Sequence, residues 1–374
     1  MEVRIEGLTK AYDGLSVVDN LQLVADEGKL TTLLGPSGCG KTTTLRCVAG
    51  LEQPTQGRIT IGTNVVADTK KGISVPVQNR DVGFVFQSFD VWPHMTVFEN
   101  VAYPLRVRDY SNSEIESKVS EILDLADILP LKENAATTLS GGQQARVGLC
   151  RALVYEPKVL LCDEPLSGLD RNLRKTLYNE LKAIQSELDT TTIYVTHDQS
   201  EAMAISDKIA LMNTNGKIEQ RGDAESIYQN PRSKFGFEFV GDSQILTGEV
   251  VDDGVVNTPI GYIHCMIRSS PGSIVNIGFR PANVIIDSSD RQPRTKNTWV
   301  GEIVHSYYFG NEYEVDVNVG DEIIKARVNP KQYHNLKDKD GQQVTVGVSR
   351  SDVYTFTEGG RSTQIRGESP QLQS

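Results

Sequence analysis

Residues 35 to 42, Gly35-Pro36-Ser37-Gly38-Cys39-Gly40-Lys41-Thr42, carry the spacing GxxxxGK[ST]. Glycines let backbone N–H groups converge on an anion with no Cβ in the way, and a helix start behind them adds partial positive charge. Lys41 supplies a full charge for the outer phosphates of a bound nucleotide, and the Thr42 hydroxyl can ligate Mg²⁺. The apolar run Leu30 to Leu34 precedes the turn and a helix-forming stretch ending at Gly50 follows it. That strand, loop and helix setting separates a phosphate cradle from an ordinary glycine-rich connection.

A second anion trap, Leu139-Ser140-Gly141-Gly142-Gln143, stands ahead of a helix-forming run, Gln144 to Val154. Alone it would be a common N-cap. Beside the first trap it implies that the chain either binds two nucleotides or meets a second copy of itself, each nucleotide then lying between unlike sites. Between the traps and the end of this region lies the chemistry. The apolar run Val159 to Cys162 ends in Asp163-Glu164, two carboxylates at a strand end where open α/β sheets bind ligands. Asp163 is expected in the Mg²⁺ shell and Glu164 as general base for water. His197, after the run Thr192 to Thr196, can donate to a γ-phosphate from the same edge.

The elements that must position these groups follow from patterning. Leu30 to Leu34, Val82 to Phe86, Val159 to Cys162 and Thr192 to Thr196 alternate with helical stretches, which predicts a mostly parallel, doubly wound α/β sheet. In Ser113 to Asp127, Ile115, Val119, Ile122, Leu123 and Ala126 mark one buried helical face. After Asn230-Pro231 and one more short segment, the texture changes from about Ser243. Tyr313, Val315, Val317 and Val319 then alternate with polar residues at period two, predicting an all-β second domain, a small barrel. The ending, Glu358 to Ser374, reads as a frayed polar tail.

At 374 residues the chain has room for two or three domains, at roughly 100 to 200 residues each. Thirty-eight Lys and Arg against 49 Asp and Glu leave a formal charge of −11, a field that repels nucleic acid and anionic lipid, so any anion site must be local. From Ser243 onward 13 basic residues face 16 acidic ones, which disfavours a nucleic-acid-binding barrel. Five scattered cysteines, odd in number and without a CxxC pair, fit neither a disulfide framework nor a zinc knuckle and point to a reducing cytosol. No apolar run approaches the roughly 20 residues of a membrane-crossing helix, and MEVRIEGLTK has no signal-peptide h-region, so the chain is expected to be soluble by itself.

Residues 1 to about 240 resemble the nucleotide-binding subunit of an ABC transporter, a P-loop NTPase. Walker A, glutamine loop, LSGGQ, Walker B, Asp loop and switch histidine follow in order. The resemblance implies ATP and Mg²⁺ as ligands, with Gly35 to Thr43 (Gly35, Pro36, Ser37, Gly38, Cys39, Gly40, Lys41, Thr42 and Thr43) around the phosphates. It implies that Tyr12 stacks on adenine, that Gln87 touches both the Mg²⁺ region and the membrane partner, and that Asp170, in Ser167-Gly168-Leu169-Asp170, lines a dimer seam. Thr42, Gln87 and Asp163 are the implied metal neighbours, and Lys41, Glu164 and His197 the implied catalytic groups. Two copies are expected head to tail, with Ser140, Gly141, Gly142 and Gln143 of one closing on the ATP of the other.

A helical subdomain is implied at about residues 88 to 136, docking a coupling helix of the permease, with Phe89, Val91, Trp92, Met95 and Phe98 either forming that groove or packing the subdomain core. The β domain, 243 to 357, carries Gly278-Phe279-Arg280-Pro281 and Trp299-Val300-Gly301-Glu302 and resembles the OB-type region of importer ATPases for sugars, polyamines, ferric iron, sulfate and phosphonates. An ATPase of a solute importer is the leading expectation, with ferric iron or polyamine ahead of the other solutes. A solute-binding protein would act indirectly, and the chain would sit peripherally on the cytoplasmic face of the membrane. The alternative is a soluble ABC ATPase not coupled to transport. Cys39 lies near Lys41 and a helix N-terminus, both of which favour thiolate, so a thiol reagent is expected to inactivate the enzyme and MgATP to protect it.

Overall fold

The computed structural model describes residues 1–87, 91–288, 295–336 and 341–362. The chain divides into two units, Met1–Ile227 and Tyr228–Ser374. In order, the first runs β1 (Val3–Tyr12), β2 (Leu15–Ala25), β3 (Leu30–Leu34), α1 (Lys41–Ala49), β4 (Gln56–Ile61), β5 (Asn64–Asp68), β6 (Ile73–Ser74), β7 (Val82–Val85), α2 (Val97–Arg106), α3 (Asn112–Leu125), α4 (Gly141–Leu153), β8 (Val159–Asp163), α5 (Arg171–Glu187), β9 (Thr191–Thr196), α6 (Gln199–Ile205), β10 (Lys208–Met212) and β11 (Ile218–Gly222). Helix α7 (Ala224–Gln229) stops just before Asn230-Pro231.

The six-stranded sheet has the order β11-β10-β3-β9-β8-β7, parallel except for β11. Every residue of β3, β8 and β9 is buried, as expected of strands covered on both faces. A second sheet, β2-β1-β4-β5-β6, is antiparallel and has no counterpart among the expected elements. Its strands mix buried and exposed residues, and register shifts interrupt the β1–β2 pairing at three places, so no sustained alternation announces it.

Helices α2 and α3 begin at capping boxes, Thr96 with Glu99 and Ser111 with Glu114. Ile115, Val119, Ile122, Leu123 and Ala126 are all buried, sharing a core with Val97, Val101 and Leu105 of α2 and with Val147, Cys150 and Leu153 of α4. The helical layer therefore draws on α4, beyond the expected limit near 136. Val91 and Phe98 pack against this core. Trp92 stacks edge-on against Tyr103 at 4.8 Å and under the Arg151 guanidinium at 4.5 Å. Phe89 lies outside the described residues.

The second unit comprises α8 (Lys234–Phe239), β12 (Gln244–Asp252), β13 (Val255–Thr258), β14 (Gly261–His264), β15 (Ile274–Phe279), β16 (Val284–Ser288), β17 (Asn297–Tyr308), β18 (Tyr313–Val319), β19 (Glu322–Val328), α9 (Pro330–Asn335), β20 (Gln343–Val348) and β21 (Tyr354–Thr357). Two antiparallel sheets, β14-β13-β12-β15-β21 and β16-β20-β17-β18-β19, enclose one apolar core. Val315, Val317 and Val319 point into it.

The division at Ile227 precedes the change of texture expected at 240 to 243. Phe237 of α8 is the reason: it is fully buried against Tyr354 and Phe356 of β21, with ring centroids 4.7 and 5.5 Å away. Arg280 of the GFRP element, also buried, donates to the carbonyls of Phe237, Gly241 and Asp242 at 2.9 to 3.1 Å. Of the frayed tail expected from Glu358, residues 358 to 362 are instead tied down, Thr357 N–H bonding Arg361 O and Ser362 N–H bonding Arg232 O. Residues 363 to 374 of that expectation lie outside the described residues. Replacing Phe237 with alanine is expected to cost the second unit about 3–5 kcal/mol, read as a lower denaturant midpoint for that unit; an unmoved midpoint would remove Phe237 from the core.

Candidate functional site

β3, β7, β8 and β9 end on one edge of the parallel sheet, and the residues that follow them are those singled out by type and spacing. The pairs Leu34 with Thr196, Asp163 with Val195 and Val85 with Cys162 hold these ends level. Gly35 to Gly40 therefore leave β3 beside His197 after β9, Asp163-Glu164 at the end of β8, and Gln87 after β7.

The turn before α1 needs glycine at Gly40, where φ is +99° and a Cβ would meet Val17 O at 2.6 Å. No side chain caps α1, so its first-turn N–H groups are available to an anion. Lys41 is only 4% exposed, and its ammonium donates to Gly35 O and Pro36 O, both at 2.8 Å. Thr42 Oγ1 donates to Asp163 Oδ1 at 2.6 Å. These two hard oxygens suit Mg²⁺, which takes few protein ligands and fills its octahedron with phosphate and water. Among the described residues no group of three or more His, Cys, Asp or Glu could hold a metal, so phosphate oxygens would have to complete the shell.

Burial raises the Asp163 carboxyl above its ordinary range, with Thr42 opposing. Glu164 adopts φ +46°, a left-handed conformation uncommon outside glycine, fixed by its N–H bonding Val195 O at 3.0 Å. That bend brings Glu164 Oε2 within 2.9 Å of His197 Nδ1. A carboxylate and an imidazole at that distance, beside a phosphate cradle, can orient a water and exchange protons with it.

Other expected residues are placed less centrally. Tyr12, at the end of β1, is 41% exposed and has hydrogen-bond partners in Glu52 and Thr43; desolvation, then Glu52, push its phenol up. Gln87 is exposed. Asp170 caps α5, its Oδ1 accepting from the N–H groups of Asn172 and Leu173. Ser140 and Gln143 form a capping box on α4: Ser140 Oγ accepts from Gln143 N–H at 3.4 Å and Gln143 Oε1 from Ser140 N–H at 2.9 Å. A Cβ on Gly142 would lie 2.8 Å from a terminal methyl of Leu173, so a larger residue there would have to displace that side chain. Among the described residues no hydrogen bond or ion pair joins Ser140 to Gln143 with the Gly35 to Thr43 turn of the same chain.

The expected thiolate at Cys39 is a correction. The side chain is 2% exposed, part of the core between the sheets, and burial raises the thiol against the pull of Lys41.

Two arrangements had no sequence signal. Arg80, buried and ahead of β7, donates to Cys47 O, Val48 O and Val75 O at 2.8 Å, placing a cation at the C-terminal end of α1. Arg174 of α5 binds Asp198, next to His197, at 2.6 Å.

The sequence profile of the ABC transporter family matches residues 18–167, and that of the TOBE domain residues 277–356. The Fe(3+) ions import ATP-binding protein FbpC of Pasteurella multocida is 40% identical over 334 residues, 88% of this chain and 92% of the relative. This chain belongs to the ABC transporter ATP-binding family. The trehalose/maltose import ATP-binding protein MalK of Thermococcus litoralis is 46% identical over 257 residues, 68% of this chain and 69% of the relative. Among solved structures, the dimeric cassette MJ0796 in a post-hydrolysis state bound to ADP and Pi superposes with a TM-score of 0.52 at 30% identity, covering 59% of this chain and 98% of that one.

The first unit of this ABC ATPase thus binds ATP, and its lysine-bearing turn and capped α4 both fall within the matched stretch. All five thiols of the ABC ATPase are buried, and burial raises Cys47 and Cys265 to about 11 and Cys150 to about 12. The native protein is expected to show no fast-reacting thiol toward an aromatic disulfide at mildly alkaline pH, and five after denaturation. A stoichiometric fast phase mapped to Cys39 would restore the thiolate.

Proposed function

We propose that this ABC ATPase energises the import of ferric ions through a membrane permease, working as a head-to-tail pair. The observation that carries the solute is the reach of the similarity to the Fe(3+)-import relative, 88% of this chain, which extends well into the second unit. The sugar-import relative is more alike but over a shorter stretch, as expected if an ATP-hydrolysing core common to both decides nothing about cargo.

In this reading the outer phosphates of ATP enter the turn before α1. Lys41 exchanges the carbonyls of Gly35 and Pro36 for phosphate oxygens, and the uncapped N–H groups of α1 take the remainder. Thr42 and Asp163 would hold Mg²⁺ with Gln87 beside them; when bound, the ion neutralises charge on the β and γ oxygens. Glu164 accepts a proton from water as its oxygen attacks the γ-phosphorus and the bond to the bridging oxygen breaks, while His197 donates to the γ-phosphate. Tyr12, near Thr43, would stack on adenine in this reading.

The Ser140 to Gln143 corner of a second copy closes on the same phosphates, with Asp170 on the seam. The capping box leaves this open: Ser140 Oγ spends a lone pair on Gln143 N–H and keeps its own proton to donate outward. ATP then favours the closed pair by differential affinity, and its cleavage lets the pair part. No helix among the described residues is long and apolar enough to cross a membrane. Attachment is accordingly assigned to the permease subunits on the cytoplasmic face, with a solute-binding protein feeding them from the other side.

Reconstituted with its permease and solute-binding protein, the parent is expected to drive ATP-dependent uptake of labelled Fe³⁺. The Glu164→Gln variant should bind ATP, pair stably and lose turnover by at least about a hundredfold. Unchanged turnover would remove Glu164 as base, and uptake of maltose but not of iron would move the solute to the sugar reading.

Asp163 gives a second test. Because its folded carboxyl is raised, its contribution to stability is fully present below the ordinary carboxylate range and is lost as pH rises through the folded value. Asp163→Asn is thus expected to be at least as heat-stable as the parent at neutral pH while losing Mg²⁺-dependent hydrolysis. A lower thermal midpoint would contradict the burial argument.

A further inference from the structure

The edge that carries Glu164 and His197 holds an ion pair that the hydrolysis steps do not use. Arg174, in the first turn of α5, donates through Nη1 to Asp198 Oδ2 at 2.6 Å and through Nη2 to Leu169 O at 3.0 Å. One guanidinium thus grips the loop Ser167 to Asp170, which follows Glu164, and the loop carrying His197, which follows β9.

The His197 loop is fixed on its other side as well. Asp198 N–H donates to Thr196 Oγ1 at 3.0 Å, and Asp198 Oδ1 caps α6 by accepting from Glu201 N–H at 3.0 Å. Thr196 Oγ1 and the Tyr194 hydroxyl both donate to the buried Glu201 carboxylate. Residues on both sides of His197 are therefore pinned, and the ring reaches Glu164 from a loop with little freedom of its own. Ser167 to Asp170 is different: Gly168 has φ +81° and nothing within 4 Å of where a Cβ would stand, so this loop bends at a point without packing. Arg174, Asp198, Glu164, Ser167, Gly168 and His197 line one small cavity.

We infer that the Arg174–Asp198 pair ties the Ser167 to Asp170 loop to the fixed His197 loop, so that the loop met by a second copy is held where Glu164, just before it, stands against His197. Arg174 and Asp198 are positioning residues, and the inference rests on the proposed roles of Glu164 and His197. The two side chains are 29% and 28% exposed, so the pair is partly screened and its main effect is geometric, not stabilising.

Asparagine caps a helix as well as aspartate, so Asp198→Asn removes the charge and keeps α6. Steady-state hydrolysis is measured against ATP concentration for the parent, Arg174→Met, Asp198→Asn, the double variant and Arg174→Lys, with Glu164→Gln alongside. Each single variant is expected to lower kcat about tenfold, leaving KM for ATP within about twofold and the thermal midpoint near the parent's. The double variant should lose no more than the worse single one, and Arg174→Lys should recover part of kcat. Parent-like kcat in both single variants, or losses that multiply in the double one, with Glu164→Gln inactive, would overturn the coupling and leave the proposed base standing. Full turnover by Glu164→Gln would overturn that base, and this inference with it.

Discussion

An ammonium buried among carbonyl dipoles is the interaction around which the first unit is arranged. Lys41 has Gly35 O and Pro36 O as its hydrogen-bond acceptors, and dipoles compensate a desolvated charge less fully than a carboxylate does. Asp163, at the end of β8, is itself desolvated and engaged with Thr42. Opposite charges are thus buried close together, each held by neutral partners. An anion bearing a divalent cation would satisfy both at once, the phosphate against Lys41 and the metal against Asp163 and Thr42. The strands that carry them, β3 and β8, are buried from end to end because the parallel sheet is covered on both faces, and this holds the two groups at fixed positions.

What could be read from the amino-acid order was what the parallel sheet imposes on it. A strand covered on both faces is a short run of apolar and β-branched residues, and its functional residue follows the end of that run, so β3, β8 and β9 and the groups after them were legible together. The face of α3 was legible for the same reason at a different period. The antiparallel sheet was not, since its register shifts break the alternation. Cys39 misled because proximity to Lys41 and to a helix start is visible in sequence and burial is not; desolvation outweighs both. The unit boundary was displaced by a single ring, Phe237, whose partners lie more than a hundred residues away in β21. Arg80 and Arg174 act on carbonyls and on a carboxylate supplied by other elements, and no local spacing announces such contacts.

The two glycine-rich helix starts are chemically unlike, and the difference bears on why one chain would need another. The start of α1 has no side-chain cap, so N–H groups and an ammonium face the same turn, all of them donors. The start of α4 is capped by its own Ser140 and Gln143, which leaves it a hydroxyl proton and the exposed backbone of Gly141. In the proposed reading Lys41 and His197 meet the γ-phosphate from within one chain, and a second copy is left to meet it from the other side. Ser140 of a second copy is the complement the proposed pairing supplies, a neutral donor that strengthens as charge shifts onto those oxygens. Neutrality matters here: a second ammonium would bind ATP and ADP with phosphate alike and so hold the pair shut after cleavage. A hydroxyl and an N–H group, whose attraction falls steeply with distance and angle, discriminate between the intact and the divided phosphate chain. In the proposed pairing, release after hydrolysis would follow from the weakness of the second corner.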